Sequence, residues 1–280
     1  MKAAVNCKRG KAIAVFIFLL LFSFISISCQ RDEGQKMYDR GMALWESEKY
    51  EEAIQNFIAL TKAFPEHELV DDSLFWIANI YEHYLANPKQ AVLFYRSLNN
   101  KFESSDYTLQ SMLGLARVRS LQGDEGKRKA IRIYRKLQKQ QNSQLSFDEW
   151  EQNQLRLAYL FFELKNFEQA RVELKRLILE RPNSENIPKA YYHIGRSYYV
   201  EGNLELARAT FLETDKKFGY KKASLASALS LADIYEETGQ LESAVNVYKT
   251  ILNRLENKEV FYQLADDRIK KLEIRLKKTK

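Results

Sequence analysis

The chain is predicted to fold as an all-α solenoid of about six helical hairpins closed by a C-terminal capping helix. Three observations predict it. Glycine and proline are scarce, 10 and 4 in 280 residues, and Leu, Ala, Glu, Lys and Gln dominate, a composition that favours helix. One three-residue pattern returns six times, each 37 to 40 residues after the last. A second helical segment precedes every occurrence, its own small residue 12 to 14 positions earlier.

The first element is a leader, residues 1–28. Met1 to Lys11 is basic, and Ala12 to Ser28 carries no charge and is mostly Ala, Val, Ile, Phe and Leu. This is the layout of a secretory signal, although Ala12 to Cys29 also reaches the length of a short membrane-spanning helix. The stretch "SISC" resembles the lipobox of bacterial lipoproteins, in which a small residue precedes a cysteine that is acylated and becomes the new N-terminus. Ser28 fits the small position, whereas Ser26 stands where leucine is usual. Lipidated Cys29 is therefore expected in preference to a retained transmembrane helix. Gln30 is not the aspartate of inner-membrane retention, which favours the outer membrane. Residues 29–36 are read as the acylated cysteine and a short tether.

Cysteine and charge bound the rest. Cys7 and Cys29 are the only cysteines, so no disulfide framework can hold the body. The formal charge of +7 falls to +3 without the first 28 residues, which hold four bases and no acid. The basic pI therefore does not point to nucleic acid, and neither a nucleic-acid partner nor a small-molecule substrate is expected.

The body, residues 37–256, is the repeat. Its triplets are Ala53, Phe57, Leu60; Ala91, Tyr95, Leu98; Ala130, Tyr134, Leu137; Ala170, Leu174, Leu177; Ala207, Phe211, Thr214; and Ala244, Tyr248, Ile251. Positions i, i+4 and i+7 share a helix face, so each triplet marks an amphipathic helix with a notch at its alanine. The preceding partner helices carry Gly41, Ala78, Ala116, Ala158, Gly195 and Ala232. Small residues at matching sites let two antiparallel helices approach closely. In the third unit Arg119 takes a position that is otherwise aromatic or Leu, and "GDEGKRK" is expected to lengthen the turn between its helices. Residues 257–280 are expected to cap the array, with Phe261, Ala265, Ile269, Leu272 and Leu276 on one stripe. Its tail "RIKKLEIRLKKTK" reads as the solvated face of that cap in preference to a surface for anionic lipid headgroups or an acidic partner.

These residues resemble the tetratricopeptide repeat. "AYYHIGRSYYVEGNLELARATF" and "QLRLAYLFFELKNFEQARVEL" match its small-aromatic-Gly-aromatic-Ala pattern, and Pro65 and Pro182 stand at its closing proline. The long period and the "FP/RP" connections resemble bacterial envelope repeat proteins of the BamD and Tol-Pal-coordinating types.

Chemistry is mostly missing. His67, His83 and His193 lie far apart in sequence, and the sequence holds no HExxH, GxSxG or phosphate-cradling glycine loop. No catalytic residue, cofactor or metal is expected, and the chain is read as a non-enzyme. The resemblance implies instead a groove lined by the first helix of each hairpin. Mapped by offset from the small residues, its candidate residues are Tyr38 and Trp45, with Met42, in the first unit and Phe75 in the second. The fourth unit offers Tyr159 and Phe162, with Leu155; the fifth Tyr192, Arg196 and Tyr199; the sixth Asp233, Glu236 and Glu237. Several of these residues could equally pack between hairpins. The Lys and Asn set that clamps chaperone carboxylates is absent, since Tyr38 and Met42 take two of its sites. The resemblance thus implies a lipid-anchored, periplasm-facing scaffold for envelope proteins, with outer-membrane β-barrel assembly as the leading role. Coordination of cell-wall remodelling and envelope constriction is the alternative.

Overall fold

A computed structural model describes residues 33–139, 146–219, 221–255 and 260–279. They form thirteen helices, and no strand occurs among the described residues. The helices are α1 (33–46), α2 (Tyr50–Ala63), α3 (Val70–His83), α4 (Pro88–Lys101), α5 (Thr108–Ser120), α6 (Gly123–Lys139) and α7 (Phe147–Glu163). They continue as α8 (Phe167–Glu180), α9 (Ile187–Val200), α10 (Leu204–Phe218), α11 (Lys222–Glu237), α12 (Leu241–Leu252) and α13 (Val260–Thr279). The leader, Cys29 and the side chain of Phe261 lie outside the described residues. The chain forms two compact units, Met1–Gln141 and Asn142–Lys280. The first holds the hairpins α1/α2, α3/α4 and α5/α6; the second holds α7/α8, α9/α10, α11/α12 and the single helix α13. Within each unit successive hairpins stack, α2 on α3, α4 on α5, α8 on α9 and α10 on α11, and α13 closes on α12. The expected all-α architecture of stacked hairpins is what forms.

Every triplet residue of the repeat is buried, none more than 4% exposed. The partner small residues are buried with them. Gly41 and Gly195 show why small is required. A Cβ there would stand 2.6 Å from Cε1 of Phe57 or of Phe211, rings that are themselves wholly buried. Each ring occupies the volume that a larger partner residue would fill, and contributes about 2–3 kcal/mol by leaving water.

Turns within hairpins follow a local rule. A residue with positive φ ends the first helix and the next residue caps the second: Glu48, Ala86 and Lys165 take φ of 60°, 46° and 57°, and Gly202 and Gly239 take 79° and 75°. Asn87, Asn166 and Asn203 then accept a hydrogen bond at 3.3 Å from the backbone N–H three residues on.

Connections between hairpins are equally regular. Phe64, Phe102 and Arg181 leave the helix at φ near −130° and ψ near 65°, their N–H still bonded to the carbonyl four back. Three residues later His67 Nδ1, Ser105 Oγ and Ser184 Oγ each accept the N–H two further on, at 3.0–3.1 Å. The extra length of the repeat is thus a closed, hydrogen-bonded connector.

Two boundaries differ from the sequence expectation. "GDEGKRK" does not lengthen a turn: only Leu121 and Gln122 separate α5 from α6, and the segment opens a 17-residue helix. Asp124 and Glu125 suit the positive end of the helix dipole, and a Cβ on Gly126 would sit 2.3 Å from the Arg119 carbonyl oxygen. Residues 33–36, assigned to the tether, are helical; Gly34 lies against the ring of His67, where a Cβ would meet Cδ2 at 2.3 Å. No helix among the described residues is long and apolar enough to cross a membrane.

Candidate functional site

The first helix of each hairpin carries the candidate surface, and its geometry is governed by the small residue. In two hairpins the side chain four positions after that residue reaches toward the next hairpin, where it meets the position just after the next small residue. Glu82 of α3 thereby takes Arg117 of α5: Nε donates to Oε1 and Nη2 to Oε2, the latter at 2.8 Å. Phe162 of α7 takes Arg196 of α9, whose guanidinium stands 5.0 Å from the ring centroid. In α9, Tyr199 donates its hydroxyl to Glu237 of α11, four residues beyond that position.

In the N-terminal unit the candidate residues are half-buried and pack on neighbours. The Tyr38 ring lies 5.6 Å from that of Phe57. Its phenol is pushed up to about 12, first by burial and then by the nearby charge of Asp72. Trp45 packs on Trp76 at 4.7 Å with the rings tilted by 51°, and meets Tyr84 edge-on at 6.3 Å. Phe75 lies flat on Tyr107 at 4.4 Å. Asp72, at the start of α3, is pushed up to about 6 by burial and then by Asp71 beside it. Both acids sit in the first turn, where the helix dipole favours their charge, but for Asp72 desolvation outweighs that effect.

In the C-terminal unit the same positions are more varied. The Tyr159 hydroxyl stands 3.0 Å from His193 Nε2. His193 is pushed down to about 4 by burial, aided by Arg196 and Lys189, so it is neutral at pH 7. Tyr192 packs on His193 at 5.1 Å and on Phe211 at 6.0 Å. Tyr199 is pushed up to about 12, first by its hydrogen bond to Glu237 and then by burial. Arg196 is exposed. On α11 burial raises Asp233, and Glu236 accepts the Tyr248 hydroxyl at 2.9 Å with Arg268 of α13 at 3.5 Å.

Placement thus separates the candidates. Phe162 with Arg196, and Tyr199 with Glu237, join adjacent first helices of the C-terminal unit, and Tyr159 meets His193 there. Tyr38, Trp45 and Phe75 are spent largely on packing within the N-terminal unit, and Leu155 is core, 2% exposed. Sequence mapping missed Glu82, Arg117 and His193. Glu82 was within reach of it, because it stands four after Ala78 as Trp45, Phe162 and Tyr199 stand four after their own small residues. Among the described residues no group of His, Cys, Asp or Glu is arranged to hold a metal ion. What this surface can do is present oriented rings, a guanidinium and carboxylates to another polypeptide.

A helical-repeat scaffold of the protein-interaction class is what this fold and surface define. The chain carries tetratricopeptide repeats: models of that repeat match residues 38–84, 152–184 and 225–254. No catalytic family is among these matches, and no curated protein matches the chain. Among solved structures it is similar to a tetratricopeptide repeat protein from Parabacteroides merdae, with 13% identity over 87% of this chain and 88% of that one, at a TM-score of 0.57. It is likewise similar to the C-terminal part of a repeat-containing protein from Cytophaga hutchinsonii, with 15% identity over 84% and 95% and a TM-score of 0.58. At such identities the likeness concerns the fold.

Proposed function

We propose that this protein is a lipid-anchored scaffold that holds partner proteins beside a bacterial envelope membrane, periplasm-facing and at the outer membrane. The observation that carries the scaffold reading is the first-helix surface of the C-terminal unit, where Arg196 is exposed over Phe162 and Tyr199 is held by Glu237. Rings already fixed by neighbours lose little freedom when a peptide covers them, and aromatics with arginine carry binding energy out of proportion to their number. The anchoring reading rests on the uncharged stretch before Cys29. With helix in place at residue 33, at most about 15 Å of extended chain separates that cysteine from α1. So short a tether would keep the N-terminal unit beside the bilayer, hold the chain at that membrane and raise the effective concentration of whatever it binds.

Assembly of outer-membrane β-barrel proteins is the role that we assign first, and coordination of envelope constriction the second. Site-specific photocrosslinking in intact cells tests the scaffold. A photoreactive residue at 196 should capture a protein partner, and one at the exposed Leu206 on α10 should not. Phe162→Ala with Arg196→Glu should cut recovery about tenfold or more while helicity is retained; capture unchanged by that pair sinks the assignment. Depletion then separates the roles, since lowered porins favour the first, and normal porins with chained cells the second. Fatty-acid labelling of Cys29→Ala tests the anchor, which fails if the variant incorporates as much label as wild type.

A further inference from the structure

We propose that the outward face of α6 is a docking surface for the anionic headgroups of a lipid bilayer. The inference rests on the membrane-anchored reading above and adds a second contact to it. α6 carries seven Lys or Arg against Asp124 and Glu125, a net of +5 in 17 residues. Outside it, residues 29–280 hold 33 basic and 35 acidic residues, so this one helix more than accounts for the excess positive charge.

The charge is concentrated on one side. Ala130, Ile131, Tyr134 and Leu137 are buried in the hairpin, while Arg128, Arg132, Lys136 and Lys139 are exposed at spacings of four, four and three, a single line along the helix. Acid along the helix itself is sparse. Glu125 lies 3.5–4.0 Å from Arg128, Lys129 and Arg132, one carboxylate shared by three cations, and the next acid in the sequence is Asp148. Clustered cations of this kind bind anionic bilayers by about fivefold per residue. Against single-stranded nucleic acid, the exposed line offers no aromatic ring on which a base could stack. In favour of a bilayer, α6 belongs to the same compact unit as α1, which follows the uncharged stretch and Cys29.

The test reconstitutes the full chain with vesicles of phosphatidylcholine alone, or with one third phosphatidylglycerol, and reads flotation and lysine acetylation. Lys136 and Lys139 report on the line, and Lys216 of α10 is the internal reference. The expected result is flotation with both vesicles, and acetylation of Lys136 and Lys139 slowed about fivefold or more only with phosphatidylglycerol. That slowing should vanish at 0.5 M salt and in Arg128→Gln/Arg132→Gln, which leaves both reporters in place; the milder Arg132→Gln should restore part of the reactivity. Flotation with both vesicles but equal acetylation overturns the α6 surface and leaves the anchor standing. Flotation only with phosphatidylglycerol, lost in the double variant, supports the surface and overturns the anchor. Failure to float with either overturns both. Protection by a DNA oligomer at equal charge with none from phosphatidylglycerol vesicles likewise overturns the lipid assignment.

Discussion

The second and sixth hairpins build the same arrangement from the same three residue types, and differ in how tightly they close it. In the N-terminal unit the Tyr95 hydroxyl donates to Glu82 at 2.8 Å, and Arg117 binds both carboxylate oxygens of Glu82. In the C-terminal unit Tyr248 donates to Glu236 at 2.9 Å, and Arg268 stands 3.5 Å away with nearly half its side chain in solvent. Tyr95 and Tyr248 both follow the notched alanine by four; Glu82 and Glu236 both follow the small residue by four. Arg268 comes from α13, which therefore docks as the first helix of a further hairpin would. The same tyrosine and glutamate offsets, with arginines from different positions, thus yield a chelated, mostly desolvated pair in one unit and an open one in the other.

Four substitutions or conditions can break or sharpen that contrast, each read by hydrogen exchange on peptides of the unit concerned. The largest effect is expected at Glu82. Its removal takes the bidentate carboxylate from half-buried Arg117 and the acceptor from the hydroxyl of buried Tyr95, so Glu82→Ala should cost the N-terminal unit about 3 kcal/mol. Glu236→Ala should cost the C-terminal unit about 1 kcal/mol, because water can reach Arg268. Equal losses would show that the two arrangements are not energetically distinct.

Next come the glycines beneath the rings. Gly41→Ala and Gly195→Ala each place a methyl where Phe57 or Phe211 already sits, and each should cost about 1–3 kcal/mol. The costs should match, since both contacts are 2.6 Å; a neutral effect in either unit would mean that its hairpin opens freely.

Acid should then move the units in opposite directions. His193 is held near 4, below its usual 6.5, so the unfolded chain takes up its proton first. Its contribution is present above pH 6.5 and lost as pH falls toward 4. Between pH 7 and 5 that should weaken the C-terminal unit by about 1–2 kcal/mol. Asp72 is held near 6, above its usual 3.8, so the folded chain keeps the proton longer. Its contribution is full below 3.8 and lost as pH rises through 6, which should strengthen the N-terminal unit by about 1 kcal/mol over the same fall in pH. His193→Gln and Asp72→Asn should flatten the respective trends; a trend that survives its substitution belongs to other groups.

The smallest effect concerns the turns. Two hairpins of the C-terminal unit already have glycine at the positive-φ position, Gly202 and Gly239; in the N-terminal unit the third hairpin has Gly123 at positive φ, while the first two use Glu48 and Ala86. Glu48→Gly and Ala86→Gly should stabilise by about 0.5–1 kcal/mol, as should Lys165→Gly in the C-terminal unit, each seen as slower exchange in peptides of its unit. Destabilisation would mean that the side chain does more than fill the turn.

The repeat was legible in the sequence to the residue. All eighteen triplet positions predicted from i, i+4, i+7 spacing are buried, Thr214 included, because the period of a helix writes its core face directly into the chain. The cap stripe was equally plain, with Ala265, Ile269 and Leu272 buried against α12. The candidate surface was legible only by offset. Offset assigned Phe162, Arg196 and Tyr199 to first helices, yet it could not say that Leu155, at the offset shared by Tyr38, Phe75 and Tyr192, turns into the core. Nor could it show that His193 sits between Tyr159 and Tyr192, because those contacts join residues 34 apart and one apart through ring geometry.

By itself the sequence determined which residues are small, which are apolar and at what period, and this is enough to specify helices, hairpins and their notches, all local consequences of the helix repeat. Tertiary structure alone decided what each exposed offset became. Whether a side chain four after a small residue is a clamp, a platform or glue depends on which neighbour the next hairpin brings within a few ångströms. Solvent access then sets the strength: the same Tyr–Glu–Arg trio is closed at Glu82 and open at Glu236.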